Sequence, residues 1–293
     1  MQYYYTENID NDLLTLPVEE SRHMVRVMRM KEGDELMLTD GRGTLCRACI
    51  LTADFRNCEV QVTERLSHWQ QRSFRLHVAV APTKNPARME WFAEKATEAG
   101  IDIISPVLCD HSERVYVNEE RLDKIVVSAM KQSQKTYKPL VLPFTPLDQL
   151  IIDSDHAFDD LEAFIAGELP SKEEPKSKKK HNSKEKPNIV NTYESTNQTI
   201  LKNQEENPAS TPTPRPLQKF ICYCDGDARV PLREAYHKGS DVIILIGPEG
   251  DFSDNEVQLA LRHGFQPITL GDTRLRTETA ALAATFYLNF LNS

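Results

Sequence analysis

The sequence contains no hydrophobic run long enough to cross a membrane. Its longest purely aliphatic run is residues 242–246, whereas a membrane-spanning helix needs about 20 apolar residues. The N-terminal residues have no basic stretch followed by an apolar one, which disfavours a secretory signal. We therefore expect a soluble, cytoplasmic protein without a membrane partner.

Cysteine is also scarce, and its spacing does not indicate a metal site. Six cysteines in 293 residues are too few for a disulfide scaffold. The pairs Cys46/Cys49 and Cys222/Cys224 lie in β-like runs, where a free cysteine acts as a small buried hydrophobe. No second pair follows at zinc-finger spacing. We therefore expect no metal.

The common nucleotide-binding and hydrolase motifs are missing as well. Neither GxGxxG nor GxxxxGK[ST] is present, which disfavours the usual dinucleotide fold, the P-loop and the ordinary Rossmann methyltransferase. HExxH and GxSxG are absent too. The net charge of −9 gives no overall basic character of the kind that RNA-binding proteins often have, although local patches rather than totals make such contacts.

One segment differs in composition from the rest of the chain. Residues 170–217 are rich in Lys, Glu, Asn, Ser, Thr and Pro and keep no helix or strand period. Such a segment cannot bury enough apolar surface to offset its ordering entropy, so we expect a disordered insertion. A tolerated surface loop is the simpler interpretation, and a lysine-rich tether for RNA is the alternative.

Periodicity predicts two domains, at residues 1–72 and 73–293. The first alternates apolar and polar residues in short runs separated by Gly- and Asp-containing turns, which is typical of a small β-barrel. It also has a helical pattern over residues 19–30. In the second, predicted strands alternate with helices, which indicates an α/β fold with a mainly parallel sheet covered on both faces. The predicted strands are 76–81, 101–108, 220–224, 241–246 and 267–270, and the main helices are 85–99, 118–134, 254–263 and 277–292.

The residues after strand 241–246 form the first candidate binding loop. The sequence IGPEGDFS over residues 246–253 turns sharply and exposes backbone amides. Ser253 and Glu256 form a capping box that fixes the start of the next helix. An ordinary strand-to-helix turn is the alternative, since Gly-Pro is common in turns.

The second candidate loop, LGDTRLRTETA over residues 270–280, leads into an almost wholly apolar helix. A helix that is apolar all round is buried on more than one side, which fits packing on the sheet and on a second subunit. Arg274, Arg276 and Glu278 are costly beside such a helix unless paired or used, and an internal Arg276–Glu278 pair is the structural alternative. Because ligands bind beyond the carboxyl ends of the strands in open α/β sheets, we expect both loops to form one cleft.

Together the two loops resemble those of the RsmE family of the SPOUT superfamily, which methylates N3 of a uridine in 16S ribosomal RNA. Further agreement lies in residues 23–30 with Gly33, residues 89–101, and residues 131–133. The resemblance implies a C-terminal trefoil knot, an N-terminal PUA-like barrel, S-adenosylmethionine (AdoMet) as methyl donor, and a homodimer through the C-terminal helix. The chain departs from the family at Gln134-Lys135, where Gly-Arg is common, and in the insertion.

The resemblance also implies roles for particular residues. AdoMet is expected between the two loops, where backbone groups read the adenine and Leu245, Leu270 and Leu275 line the pocket. The full set of expected cofactor-binding residues is Leu245, Ile246, Gly247, Pro248, Glu249, Gly250, Leu270, Gly271, Leu275, Arg276 and Thr277.

For catalysis we expect Arg276 to stabilise the anion left when the uracil N3–H is lost. Glu278 would orient Arg276 or accept the proton. We favour orientation, because an adjacent arginine lowers the pKa of a carboxylate and makes it a weaker base.

For RNA we expect Arg22, Arg26 and Arg29 to bind from one helical face, given their spacing of four and three. A solvated face is the alternative. The expected partner is small-subunit rRNA or the assembled 30S particle.

Three other functions stay open. The substrate could be tRNA or a 2′-hydroxyl, or the chain could be a non-catalytic RNA-binding protein of ribosome assembly. A nucleotide-phosphate binder that uses the first loop is disfavoured, because Glu249 would lie at the anion site.

Overall fold

The chain forms two β-sheets, and the structure, a computed structural model, describes residues 2–168, 215–224 and 229–293. The expected disorder of residues 170–217 therefore falls mostly outside the described residues. For the last residues of this segment the prediction is wrong, because Leu217 begins a strand and pairs with Asp241. Arg215 Nε also lies 3.0 Å from Asp241 Oδ1. An apolar side chain and a buried counter-ion thus order residues 215–217.

The N-terminal sheet has five strands in the order β1-β3-β4-β5-β2. They are β1 (Tyr3–Tyr5), β2 (Leu13–Thr15), β3 (Glu35–Thr39), β4 (Leu45–Thr52) and β5 (Glu59–Leu66). β1 pairs with β3 in parallel, and the other pairs are antiparallel. Leu36, Leu38, Ala48 and Val60 point to one buried core, as the alternating pattern predicts.

The predicted helix over residues 19–30 is shorter and irregular. α1 (Val18–Arg22) passes directly into a π-helical segment, His23–Val27. Arg29 then takes a left-handed backbone with φ 57°, which ends helical geometry.

The second sheet has the expected parallel strands. Its order is β11-β13-β10-β12-β6-β7-β8, with β9 also paired to β7, and all of these pairs are parallel. The strands are β6 (Leu76–Val80), β7 (Ile103–Leu108), β8 (Leu140–Val141), β9 (Thr145–Pro146), β10 (Leu217–Cys222), β11 (Val230–Pro231), β12 (Asp241–Ile246) and β13 (Gln266–Thr269).

Helices cover both faces of this sheet, which confirms the α/β prediction. On one face lie α2 (Pro86–Ala99), α3 (Glu119–Gln132), α6 (Leu232–Ala235) and α8 (Thr277–Asn292). On the other lie α4 (Leu147–Ile152) and α7 (Asp254–Arg262), and α5 (Asp159–Ala166) packs beside β7. Successive residues of β12 face opposite cores: Ile244 and Ile246 face α8, whereas Ile243 and Leu245 face α7.

Local capping rules explain where the helices begin and end. Asn85 Oδ1 accepts from the Ala87 N–H and caps α2, which ends at Gly100 with φ 104°, a conformation that favours glycine. Ser253 and Glu256 form the predicted capping box of α7. α8 has the predicted bounds. None of the helices in the described part of the chain is long and apolar enough to span a bilayer.

The segment after α3 joins the two sheets. The Gly43 N–H donates to the Thr136 carbonyl at 2.9 Å, and the Lys138 N–H donates to the Gly41 carbonyl at 2.8 Å. The described residues, 2–168, 215–224 and 229–293, belong to one compact unit. The domain boundary at residues 72–73, between β5 and β6, stays a prediction.

Candidate functional site

A pocket lies at the carboxyl ends of three adjacent strands, β10, β12 and β13. It is a cleft that is partly open to solvent rather than an enclosed cavity. The two loops expected from the sequence both contribute to it. The lining residues are Cys222, Tyr223, Cys224, Arg229, Ile246, Gly247, Asp251, Thr269, Leu270, Gly271, Thr273, Arg274, Leu275, Thr277 and Ala280.

Six of the expected cofactor-binding residues line this pocket: Ile246, Gly247, Leu270, Gly271, Leu275 and Thr277. The two loops are also joined directly, because the buried Thr277 Oγ1 donates to the Gly247 carbonyl at 3.0 Å. Thr277 is the first residue of α8. This bond therefore fixes the start of that helix against the turn after β12.

The expectation that Leu245 lines the pocket is wrong. Leu245 is fully buried and packs with Phe252 and Val257 on the opposite face of the sheet. The reason is the two-residue period of a strand, which turns Leu245 and Ile246 to opposite faces. Ile246 takes the place at the pocket.

The turn residues Pro248, Glu249 and Gly250 lie outside the pocket lining. Glu249 Oε1 instead accepts from the Lys84 N–H at 3.3 Å, after β6. The Gly250 carbonyl lies 3.1 Å from Nδ1 of His111, after β7. A Cβ on Gly250 would come within 3.0 Å of the His111 Cβ, so glycine allows this close approach.

The contribution of β10 to the pocket was not predicted from the sequence. The sequence favours small buried hydrophobes over zinc ligands for Cys222 and Cys224, and it does not indicate that both line the cleft. Burial raises the pKa of Cys222 to about 12, so this thiol is protonated at neutral pH. β10 lies between β12 and β13, and this strand order was the signal that would have placed its carboxyl end here. Asp251, Arg229 and Arg274 add charged groups to the lining.

The expected Arg276–Glu278 pair is also wrong. Glu278 is 7% exposed, and its Oε1 lies 3.6 Å from Arg88 Nε of α2. Its Oε2 is buried without a hydrogen-bond partner among the described residues. Arg276 is exposed and precedes α8 in an extended conformation, so it does not line the pocket. Glu278, inside the first turn of α8, is directed instead to the neighbouring helix.

The three arginines proposed for RNA do not share a regular helical face. Arg22 ends α1, Arg26 lies in the π-helical segment and Arg29 follows it. The i, i+4, i+7 spacing applies only to a continuous α-helix. All three are exposed, and the Arg26 guanidinium stacks 3.8 Å from the ring centroid of Phe55.

The described residues contain no group of three or more His, Cys, Asp or Glu side chains that could hold a metal ion. The cysteines in the described ranges are all free thiols.

Two family models match the chain. One, an RNA methyltransferase domain, matches residues 70–192 and 190–289. The other, an RNA methyltransferase PUA domain, matches residues 16–63. The first covers most of the parallel-sheet region with both pocket loops, and the second covers most of the N-terminal sheet.

Similar proteins span nearly the whole chain. Ribosomal RNA small subunit methyltransferase E of Bacillus subtilis is 24% identical over 297 residues, covering 97% of this chain and 94% of that protein. The protein of the same name from Synechocystis is 24% identical over 294 residues, covering 97% and 75%.

Solved structures are similar over the same length. A "probable rRNA-methyltransferase" from Porphyromonas gingivalis is 35% identical with a TM-score of 0.72, covering 100% of this chain and 98% of that one. Ribosomal RNA small subunit methyltransferase E from Neisseria gonorrhoeae, solved bound to S-adenosyl methionine, is 22% identical with a TM-score of 0.67, covering 100% and 98%. At 22% identity, the likeness to the Neisseria gonorrhoeae structure shows a shared fold.

Proposed function

The chain belongs to the RsmE family of RNA methyltransferases, and we propose that it methylates N3 of a uridine in small-subunit ribosomal RNA with AdoMet as donor. One observation carries the proposal: the two loops that resemble the family, at residues 246–253 and 270–280, both line a single pocket at the carboxyl ends of β12 and β13. The names of relatives that match nearly the whole chain support the small-subunit rRNA as substrate.

The pocket lining fits AdoMet. Ile246, Leu270, Leu275 and Ala280 supply apolar surface, which suits an adenine ring. Arg229 and Arg274 supply positive charge, which suits the carboxylate of the methionine part. AdoMet supplies the sulfonium methyl group that is transferred. The cofactor residues that we propose are those of the expected set that line the pocket, together with these charged groups.

Catalysis in this proposal depends mainly on positioning. Correct alignment of reacting atoms can supply about 7–11 kcal/mol of the barrier, whereas a positioned base gives about 10²–10⁴-fold. Arg276 follows Leu275 at the cleft and is exposed, so its guanidinium can reach a bound pyrimidine and stabilise its anion. Glu278 acts on Arg88 rather than on Arg276, because Arg88 is its ion-pair partner.

We also propose a homodimer through α8. Phe286, Tyr287 and Phe290 are exposed on this helix, and the rings of Phe286 and Phe290 stack at 6.3 Å. Trp91 of the adjacent α2 is exposed as well. A contiguous apolar surface of this kind is typical of an interface. Sedimentation of the wild type and Phe290→Asp tests this: a dimer should become a monomer.

The strand order supports the proposed trefoil knot. β13 lies between β10 and β11, which both precede it in the chain. The chain therefore inserts β13 between two strands that come earlier in the sequence. After β13, α8 packs on the face of the sheet opposite α7. Knotted chains are otherwise very rare.

RNA binding is proposed for Arg22, Arg26 and Arg29 as an exposed cluster rather than a helical face. If they bind phosphates of single-stranded RNA, the slope of log K against log salt should fall by about 0.7 for each arginine–phosphate interaction that a substitution removes. An unchanged slope in the triple alanine variant, measured by fluorescence anisotropy at several salt concentrations, contradicts this role.

The decisive experiment is nucleoside analysis of small-subunit RNA from cells lacking the protein. We expect loss of 3-methyluridine and its return with wild type but not with Arg276→Ala. Loss of another methylated nucleoside would support a different RNA target. Calorimetric titration with AdoMet separates an enzyme from a non-catalytic assembly factor, and assays on naked RNA and on 30S particles identify the substrate form.

A further inference from the structure

Asp251 has an unusual backbone conformation in the wall of the pocket. It lines the pocket and is half-buried, and its φ is 62°. Residues with a Cβ adopt this left-handed region uncommonly, although aspartate does so more often than most, and such residues tend to occur where function constrains the chain. Glycine would adopt the same conformation without strain. The reason for an aspartate here therefore lies in its carboxylate.

The side chain supplies that reason, because it joins two strand ends. Asp251 Oδ2 accepts from the backbone N–H of Cys224 at 2.7 Å. Oδ1 accepts from the N–H of Phe252 at 2.9 Å. The second bond is local and steadies the turn. The first connects the loop after β12 to the end of β10, and both of its partners line the pocket.

A second side-chain bond ties the same loop to the segment after β13. There, Thr277 Oγ1 donates to the Gly247 carbonyl. The loop after β12 is thus tied to the segment after β13 by one side chain and to the end of β10 by another. Hydrogen bonds that a charged carboxylate accepts are the stronger kind, so the Asp251 bond is well suited to hold a wall in place.

We infer that Asp251 is a positioning residue of the cofactor pocket, whose carboxylate holds residues 222–224 against the turn after β12 in the shape that AdoMet needs. This inference rests on the proposed function, because it takes AdoMet to be the occupant. Asp251 acts through the Cys224 backbone, and its strained conformation is retained because only the side chain provides the bond.

Substitution by glycine separates this role from a merely structural one. Asp251→Gly removes both carboxylate hydrogen bonds but relieves the strain, and these effects on Tm oppose one another, so we expect a small net change in Tm together with a roughly tenfold rise in the AdoMet Kd. Asp251→Ala should bind AdoMet equally weakly but have a lower Tm than the glycine variant, because it keeps the strain. His68, with φ 56°, is the matched control: His68→Gly should leave the AdoMet Kd unchanged.

The hold of Asp251 on residues 222–224, here called the clamp, can also be measured without the cofactor. Cys222 is half-buried and its pKa is raised by burial, so it should react slowly with iodoacetamide in the wild type. Loosening of residues 222–224 in Asp251→Gly should speed its alkylation several-fold, as read by site-resolved mass spectrometry, with no change in His68→Gly.

Two results would overturn the inference. One is wild-type AdoMet affinity or unchanged Cys222 labelling in Asp251→Gly. The other is a Tm in that variant at or below that of Asp251→Ala together with the weaker binding, since glycine would then relieve no strain and the weaker binding would indicate general destabilisation. If the wild type itself failed to bind AdoMet, the proposed function would fail, while the labelling experiment would still test the clamp.

Discussion

The bond between Thr277 and Gly247 predicts that one hydroxyl group affects both stability and cofactor affinity. The Thr277 side chain is 5% exposed, and its Oγ1 donates to the Gly247 carbonyl at 3.0 Å. Valine has nearly the same shape but no donor. Thr277→Val would leave the buried Gly247 carbonyl without this partner, at a cost of about 1–3 kcal/mol. For a domain of this size each kcal/mol lowers Tm by roughly 2–4 °C.

The same change should weaken AdoMet binding, because Gly247 and Thr277 both line the pocket. We expect about a tenfold increase in Kd, since displacement of one wall by a fraction of an ångström removes interactions worth about 1.4 kcal/mol. Calorimetric titration measures the Kd, and differential scanning calorimetry measures the Tm. Thr277→Ser keeps the hydroxyl and should restore most of both.

A second threonine of α8 provides the control. Thr285 is buried too, but its Oγ1 donates to the Ala281 carbonyl within the same helix at 2.8 Å. Thr285→Val should therefore change Tm without changing AdoMet affinity. The reasoning is refuted if Thr277→Val keeps wild-type Tm and Kd, or if Thr285→Val weakens AdoMet binding as much as Thr277→Val does.

Three further predictions concern groups outside the pocket. Arg88→Ala leaves the Glu278 carboxylate buried without its cation and should lower the free energy of unfolding by about 1–3 kcal/mol. Addition of Glu278→Gln should restore part of this loss. If urea unfolding shows that the effects of the two substitutions are strictly additive, the two residues do not form a pair. Burial lowers the pKa of His77 to about 4. As the pH falls, this histidine therefore becomes protonated in the unfolded chain before it does in the folded protein. The free energy of unfolding should drop between about pH 6.5 and 4, by roughly 3 kcal/mol in total, and a denaturation series in which His77→Asn shows the same slope would contradict this. Replacement of residues 170–213 by a short Gly-Ser linker should leave turnover within about twofold of the wild type. The reason is that the segment leads into Leu217 at the amino end of β10, near Phe158 and Leu161, whereas the pocket lies at the carboxyl end of that strand. A tenfold loss of methylation would assign the segment a role in the reaction.

Local rules account for the parts of the fold that were predicted well. The helix caps at Asn85, Gly100 and Ser253 depend on residues within a few positions of each other, so the sequence reveals them directly. The alternation of strands and helices predicts the parallel sheet for the same reason. The position of the pocket at the carboxyl ends follows from the topology of such sheets.

Two of the errors concern the packing of distant segments, and a third concerns local helix geometry. β12 is buried on both faces, so its composition does not show that Leu245 faces α7 rather than the pocket. Glu278 finds its partner in Arg88, 190 positions earlier, whereas the sequence offered Arg276 two residues away. The π-helical segment at His23–Val27 has no local signal and broke the expected arginine face.

The pocket itself shows why the site could be predicted only in part. Its walls come from the ends of β10, β12 and β13, which are neighbours in the sheet although they are separated in the chain. Only two of these three ends carry a motif that attracts attention, and the third becomes visible once the strand order is known. The side-chain bonds from Thr277 and Asp251 then join the three ends. Because each bond links different strands, loss of either should change the shape of the pocket while the sheet stays intact, and we therefore expect each loss to weaken AdoMet binding.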